Sequence, residues 1–116
     1  MNYNSTNLIG RLTRDPEVYN TENSTITRFN LAVNRKHSKE KTADFINIIC
    51  WNKLAETAAK LLKKGSEVLV VGEIRTGSYD KGDQKHFTTE VLANMFQLLE
   101  KVDIRTKEES KEMVSA

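Results

Sequence analysis

Only one segment of the chain is written with helical period, and it lies between stretches that alternate. In KLAETAAKLLKK (53–64), Leu54, Ala58 and Leu61 recur at i, i+4 and i+7, with Lys and Glu on the other side. Asn52 is placed to cap this helix, lysines fill its last turn, and Gly65 suits the left-handed residue beyond its end. Three strand-like segments precede it: residues 7–12, ITRFNLAVN (26–34) and ADFINIICWNK (43–53). Two follow, EVLVVGEIRT (67–76) and HFTTEVLA (86–93), joined through a hairpin tip at DKGDQ (80–84). Asp15-Pro16 marks where the chain leaves the first strand, and YNTENST (19–25) reads as a loop. The order strand, strand, strand, helix, strand, strand is that of an OB-fold. The expected class is therefore all-β with one short helix: a five-stranded Greek-key barrel, the helix between strands three and four. Length agrees, because 116 residues supply one core. The expected division is an OB-fold domain over 1–100 and a charged C-terminal tail over 101–116.

The segment 43–53 is apolar on both faces. Ile46, Ile48 and Cys50 share one, and Phe45, Asn47, Ile49 and Trp51 the other. Burial on both sides would explain this, and so would a core on one side and flat groups stacking on the other. Cys50 alternates with isoleucines and reads as a small core hydrophobe rather than a nucleophile.

The composition excludes more than it nominates. No apolar run is long enough to span a membrane, and the N-terminus lacks a charged flank followed by an apolar stretch. With a single cysteine there is no internal disulfide, and the expected location is the cytoplasm. Two histidines far apart, His37 and His86, and one cysteine assemble no zinc set; no phosphate loop or nucleophile motif is present. Neither catalysis nor a cofactor is expected. Net charge is only +2, but RKHSKEK (35–41) sets four cations against Glu40.

What the chain does hold is aromatic and basic residues distributed over strands and loops, the combination that binds single-stranded nucleic acid. Phe45 and Trp51 are six residues apart on one strand face, about 20 Å at strand rise. Asn47, between them, can donate or accept at a base edge or phosphate. Tyr79 sits on a hairpin arm with little core to join, and is a stacking candidate. Arg75 on the same arm, and Arg11 and Arg14 at the end of the first strand, are candidates for phosphate. Phe29, Phe87 and Phe96 alternate with aliphatics and are assigned to the core.

NLIGRLTRDPEV (7–18), FNLAVNR (29–35), DFINIICWNKLAE (44–56), LKKGSEVLVVGEIRTGSY (62–79) and TTEVLA (88–93) together resemble the bacterial and phage single-stranded DNA-binding proteins of the OB-fold type. The resemblance covers most of residues 1–100. It implies base stacking on Phe45, Trp51 and Tyr79, and on His37 where the family carries a larger aromatic. It places Arg11, Arg35, Lys36, Lys53 and Arg75 on or beside DNA-contacting regions. It implies a non-catalytic protein that coats and protects single-stranded DNA in replication, recombination or repair, usually as a homotetramer, with a dimer as the alternative. The family's long Gly-, Pro- and Gln-rich tail with its acidic tip is absent from KEESKEMVSA, so recruitment of partners through such a tip is not expected. The other readings are an OB-fold interaction or replication-restart factor and an RNA-binding OB module.

Overall fold

The computed structural model describes residues 1–36 and 42–99; His37 and the charged tail at 101–116 lie outside the described residues. Six strands and one helix follow in the order β1 (Thr6–Leu12), β2 (Glu17–Asn20), β3 (Thr25–Asn34), β4 (Ala43–Trp51), α1 (Asn52–Leu61), β5 (Glu67–Lys81) and β6 (Gln84–Leu98). The sheet runs β1-β5-β6-β4-β3-β2, and a further β1–β3 pairing closes β1, β5, β6, β4 and β3 into a ring. Every neighbouring pair is antiparallel except β4–β6, which is parallel. This is the expected five-stranded barrel, with the helix between its third and fourth strands.

Period-two alternation decides which side chains enter it. Leu12, Phe29, Leu31, Ile48, Cys50, Val68, Val70, Val91, Phe96 and Leu98 fill the interior. The helix closes one end with Leu54, Ala55 and Ala58, followed by Leu62, rather than with Leu61, which is only half-buried. The buried Thr27 hydroxyl donates to the Ala55 carbonyl at 2.8 Å and ties that end of the helix to β3. Burial pushes the Cys50 thiol up to about 12, so it stays protonated and behaves as a small hydrophobe. Among the described residues no helix is long and apolar enough to cross a membrane.

Several local expectations are corrected. Residues 17–20 are a strand on the edge of β3, so the loop expected at 19–25 shrinks to a turn in which the Thr21 N–H donates to Ser24 O. The helix ends at Leu61, three residues early, because Leu62 turns to extended backbone and enters the core. Gly65 is left-handed, with φ +89°, but it lies beyond that extended exit and its N–H donates to Leu12 O, so it is no helix cap. Asn52 does not cap by its side chain: it is itself left-handed, φ +57°, and turns the chain from β4 into α1. Asparagine tolerates that region better than most residues. β5 and β6 each run to 15 residues and project past the barrel as an arm whose turn is Gly82–Asp83. Phe87 lies on that arm and is 78% exposed, so it is not core; alternation persists there, but among the described residues no second layer covers it.

A register shift lies between Val71 and Gly72, where β5 still pairs with both β1 and β6. A Cβ on Gly72 would collide with the Leu92 carbonyl of β6. Gly72→Ala is expected to cost about 1–3 kcal/mol of stability, read as a lowered midpoint in chemical denaturation.

Candidate nucleic-acid interface

Because cross-strand partners share a face, the register lays out the barrel's outer surface in rows. Phe45 lines up with Ala32 and Arg11, Asn47 with Asn30, Ile49 with Arg28 and Glu17, and Trp51 with Ile26 and Tyr19. Toward β6 and β5 the rows continue through Ile49, Leu92 and Glu73, then Arg75 opposite Glu90 and Tyr79 opposite His86. One continuous face thus carries Phe45, Asn47, Trp51, Arg75 and Tyr79.

The aromatic groups on it are open. Phe45 is 68% exposed, Trp51 45% and Tyr79 53%. Their neighbours on β4 that point inward, Ile48 and Cys50, are fully buried. The double apolar face of β4 therefore has two causes: a core on one side, and aromatics facing solvent on the other. Ile49 is the exception, only 4% exposed on the outer face between Arg28 and Leu92. The Tyr79 ring stacks on His86 across the arm, centroids 5.2 Å apart and 18° from parallel.

A groove of about 240 Å³ is lined by Arg14, Glu17, Tyr19, Arg28, Asn47 and Glu90 among others, and neither Phe45 nor Trp51 lines it. Its charges are largely self-paired. The Tyr19 hydroxyl donates to Glu17 at 2.6 Å, and this bond and the adjacent carboxylate charge hold its pKa above the usual value. Arg28 meets Glu90 at 3.7 Å. Three of the nominated cations are likewise held within the sheet: Arg11 by Glu67 at 3.2 Å, Arg35 by Asp44 at 2.8 Å, and Arg75 by Glu73 at 2.5 Å. Arg14, Lys36 and Lys53 make no ion pair among the described residues. Arg14 lines the groove, whereas Lys53 opens the helix beside the turn at 21–25. These exposed pairs add little stability, but each carboxylate competes with any phosphate for its arginine.

Sequence reasoning missed two aromatics. Tyr19 joins the Trp51 row because residues 17–20 form a strand, and Val18-Tyr19 is too short an alternation to reveal it. Phe87 faces away from Tyr79, since it pairs with Ser78 on the opposite face of the arm. Its assignment to the core needed the arm to be covered, which no alternation can report.

The Arg35 guanidinium, hydrogen-bonded to Asp44, holds that carboxyl below its ordinary 3.8. The pair's stabilisation is therefore complete above that value and fades as pH falls through the lower folded-state pKa. An NMR titration of Asp44 is expected to show a midpoint below 3.8 that returns to the ordinary value in Arg35→Gln.

Residues 3–99 match the model of the single-strand binding protein family. The chain is 46% identical over 112 residues to single-stranded DNA-binding protein 2 of Streptococcus agalactiae serotype III, covering 93% of this chain and 86% of that protein. It is 42% identical over 113 residues to single-stranded DNA-binding protein 1 of Lactococcus lactis, covering 93% and 75%. A third similarity is to the single-stranded DNA-binding protein of Halalkalibacterium halodurans, 50% identical over 98 residues, 80% of this chain and 58% of that one.

Proposed function

The chain belongs to the single-strand binding protein family, and on that premise we propose that it binds single-stranded DNA without catalysis and largely without regard to sequence. In this reading it coats and protects exposed strands during replication, recombination or repair, in the cytoplasm. The observation that carries the proposal is the exposure of Phe45, Trp51 and Tyr79 on one continuous outer face, when alternation could equally have buried them. Each base stacked on such a ring contributes about 1–3 kcal/mol, and any base can do so. His37 is proposed as a further stacking residue from the resemblance alone.

Around this platform Arg14, Lys36 and Lys53 meet phosphate directly. Arg11, Arg35 and Arg75 do so by exchanging Glu67, Asp44 and Glu73 for phosphate oxygens. Such contacts release counterions and make binding salt-dependent. Asn47 contributes a base-edge or phosphate contact between the two β4 aromatics.

The working form is proposed as a homo-oligomer, a tetramer in preference to a dimer. The exposed Ile9 supports this: it shares the outer surface of β1 and β5 with the half-buried Leu69 and Val71, offering apolar area beside the platform. Recruitment of other proteins through an acidic C-terminal tip is not part of the proposal.

Trp51 is the chain's only tryptophan, so its fluorescence reports on the platform alone. Oligo(dT) is expected to quench it at low salt, and added salt to restore it; no change with excess oligo(dT) contradicts the role of Trp51. Phe45→Ala and Trp51→Ala are each expected to weaken binding by about 1–3 kcal/mol while the thermal midpoint stays near that of the parent chain.

A further inference from the structure

Tyr79 stands on the β5–β6 arm, past the barrel's core, and one ring supports it. It lies opposite His86 in the register, and the two rings stack with centroids 5.2 Å apart and planes 18° from parallel. The next row toward the barrel on this face is Gly77 opposite Thr88, so β5 supplies no side chain beside Tyr79 there. The next row toward the tip is Lys81 opposite Gln84, both long and flexible. Among the described residues, then, His86 is the one ring stacked on Tyr79. The pair leaves Tyr79 53% exposed and His86 half-buried. The imidazole closes one face of the tyrosine ring and leaves the other open to a base.

This arrangement acts through order and through charge. Stacking fixes the Tyr79 ring before any ligand arrives, which spares binding the entropy of ordering it. Histidine also gains a proton as pH falls through its range, from about pH 8 to about pH 5. An imidazolium over the tyrosine face makes a cation–π contact, and it sets a positive charge one ring away from a base stacked on Tyr79. No carboxylate close by on this face neutralises that charge. Lys81 is its neighbour toward the tip. Toward the barrel the first acid on the face is Glu90, already paired with Arg28 at 3.7 Å, and beyond it Glu73 holds Arg75. Asp80 and Lys85 lie opposite each other on the other face, and Asp83 lies in the turn. Among the described residues no other strand pairs with the arm at this height: β1 leaves β5 at Gly72, and β4 meets β6 at Val91 and Leu92.

Resting on the reading of this face as the DNA-binding platform, we propose that His86 is a positioning residue for the Tyr79 contact and the cation that makes that contact pH-dependent. Neutral, it holds the tyrosine ring ready for a base. Protonated, it adds an attraction for the phosphates of the bound strand. Single-stranded DNA is therefore held more tightly as pH falls through the histidine range, and more loosely as pH rises through it.

The test is the affinity for oligo(dT), read by Trp51 fluorescence at fixed ionic strength at about pH 5.5 and about pH 8, on either side of the usual histidine titration. His37, the chain's other histidine, is replaced by glutamine in every chain compared. Titrating groups other than His86 then contribute alike to all of them and cancel. The reference chain, His37→Gln alone, is expected to bind about two- to tenfold more tightly at the lower pH. His86→Phe keeps a ring against Tyr79 but takes no proton, so its affinity at the higher pH stays near the reference and the gain in acid disappears. His86→Ala is expected to bind about two- to tenfold more weakly at the higher pH. That loss is expected to vanish when Tyr79 is already alanine, because His86 acts through that ring. A reference affinity equal at both pH values, or a gain in acid undiminished in His86→Phe, overturns the role of the charge. A His86→Ala chain equal to the reference at the higher pH, or a loss that persists in the Tyr79→Ala background, overturns the positioning role. Failure of oligo(dT) to quench Trp51 in the reference at either pH refutes the platform reading itself, a result distinct from the others.

Discussion

The short pairing of β1 with β3 is what turns a sheet into a barrel. β1 lies along β5 for most of its length and then, at Arg11 and Leu12, meets Ala32 and Leu31 of β3. Gly10 stands at that crossing, where a Cβ would come within 2.5 Å of the Ala32 carbonyl. The close approach is possible only because the residue there has no side chain. Once the ring closes, each barrel strand has an interior face to fill and an exterior face that nothing in the chain need cover. The exposure of Phe45 and Trp51 follows from this: their strand neighbours Ile48 and Cys50 already occupy the interior. Closure also brings Arg11 into the Phe45 row through Ala32.

On the exterior, charge and shape act separately. The aromatics stand open, but most of the arginines around them are bonded to carboxylates of the same sheet. A self-paired surface of this kind holds its cations in place at little cost and releases them to a stronger anion. On the proposed reading, a chain whose net charge is only +2 thereby presents phosphate partners without the self-repulsion of a strongly basic surface. The hydrogen bonds that join the Thr13 hydroxyl to the Asn30 amide and the Asn30 amide to the Asn47 amide are a further consequence of the register: they need β1, β3 and β4 side by side, which the closed ring provides.

Much of this was legible in the sequence, and the failures have physical causes. One helix among alternating segments fixed the connectivity, because few folds place a single helix after three strands. Alternation located Phe29, Ile48, Cys50 and Phe96 in the core, and it set Phe45 and Trp51 on a common face. It could not say whether that face was covered, and Ile49 shows why: it shares the face yet is buried between Arg28 and Leu92, neighbours that only the β3 and β6 register supplies. Phe87 failed in the opposite sense, since β5 and β6 alternate beyond the point where the barrel ends. Ion pairs such as Arg11 with Glu67, 56 positions apart in the chain, depend on strand pairing and leave no local signal. Asn52 looked like a helix cap because its residue type serves both a cap and a left-handed turn, and only the backbone distinguishes them.

The central claim is that single-stranded DNA lies across the face shared by Phe45, Asn47, Trp51 and Tyr79. Photo-crosslinking to an oligonucleotide carrying 5-iodo-deoxyuridine, followed by mass-spectrometric identification of the attached peptides, tests it most directly. Adducts are expected at Trp51, Phe45 and Tyr79, with none on the opposite face of the arm at Phe87. Adducts concentrated at Phe87 or along Ile9, with the β4 aromatics unmodified, would contradict it.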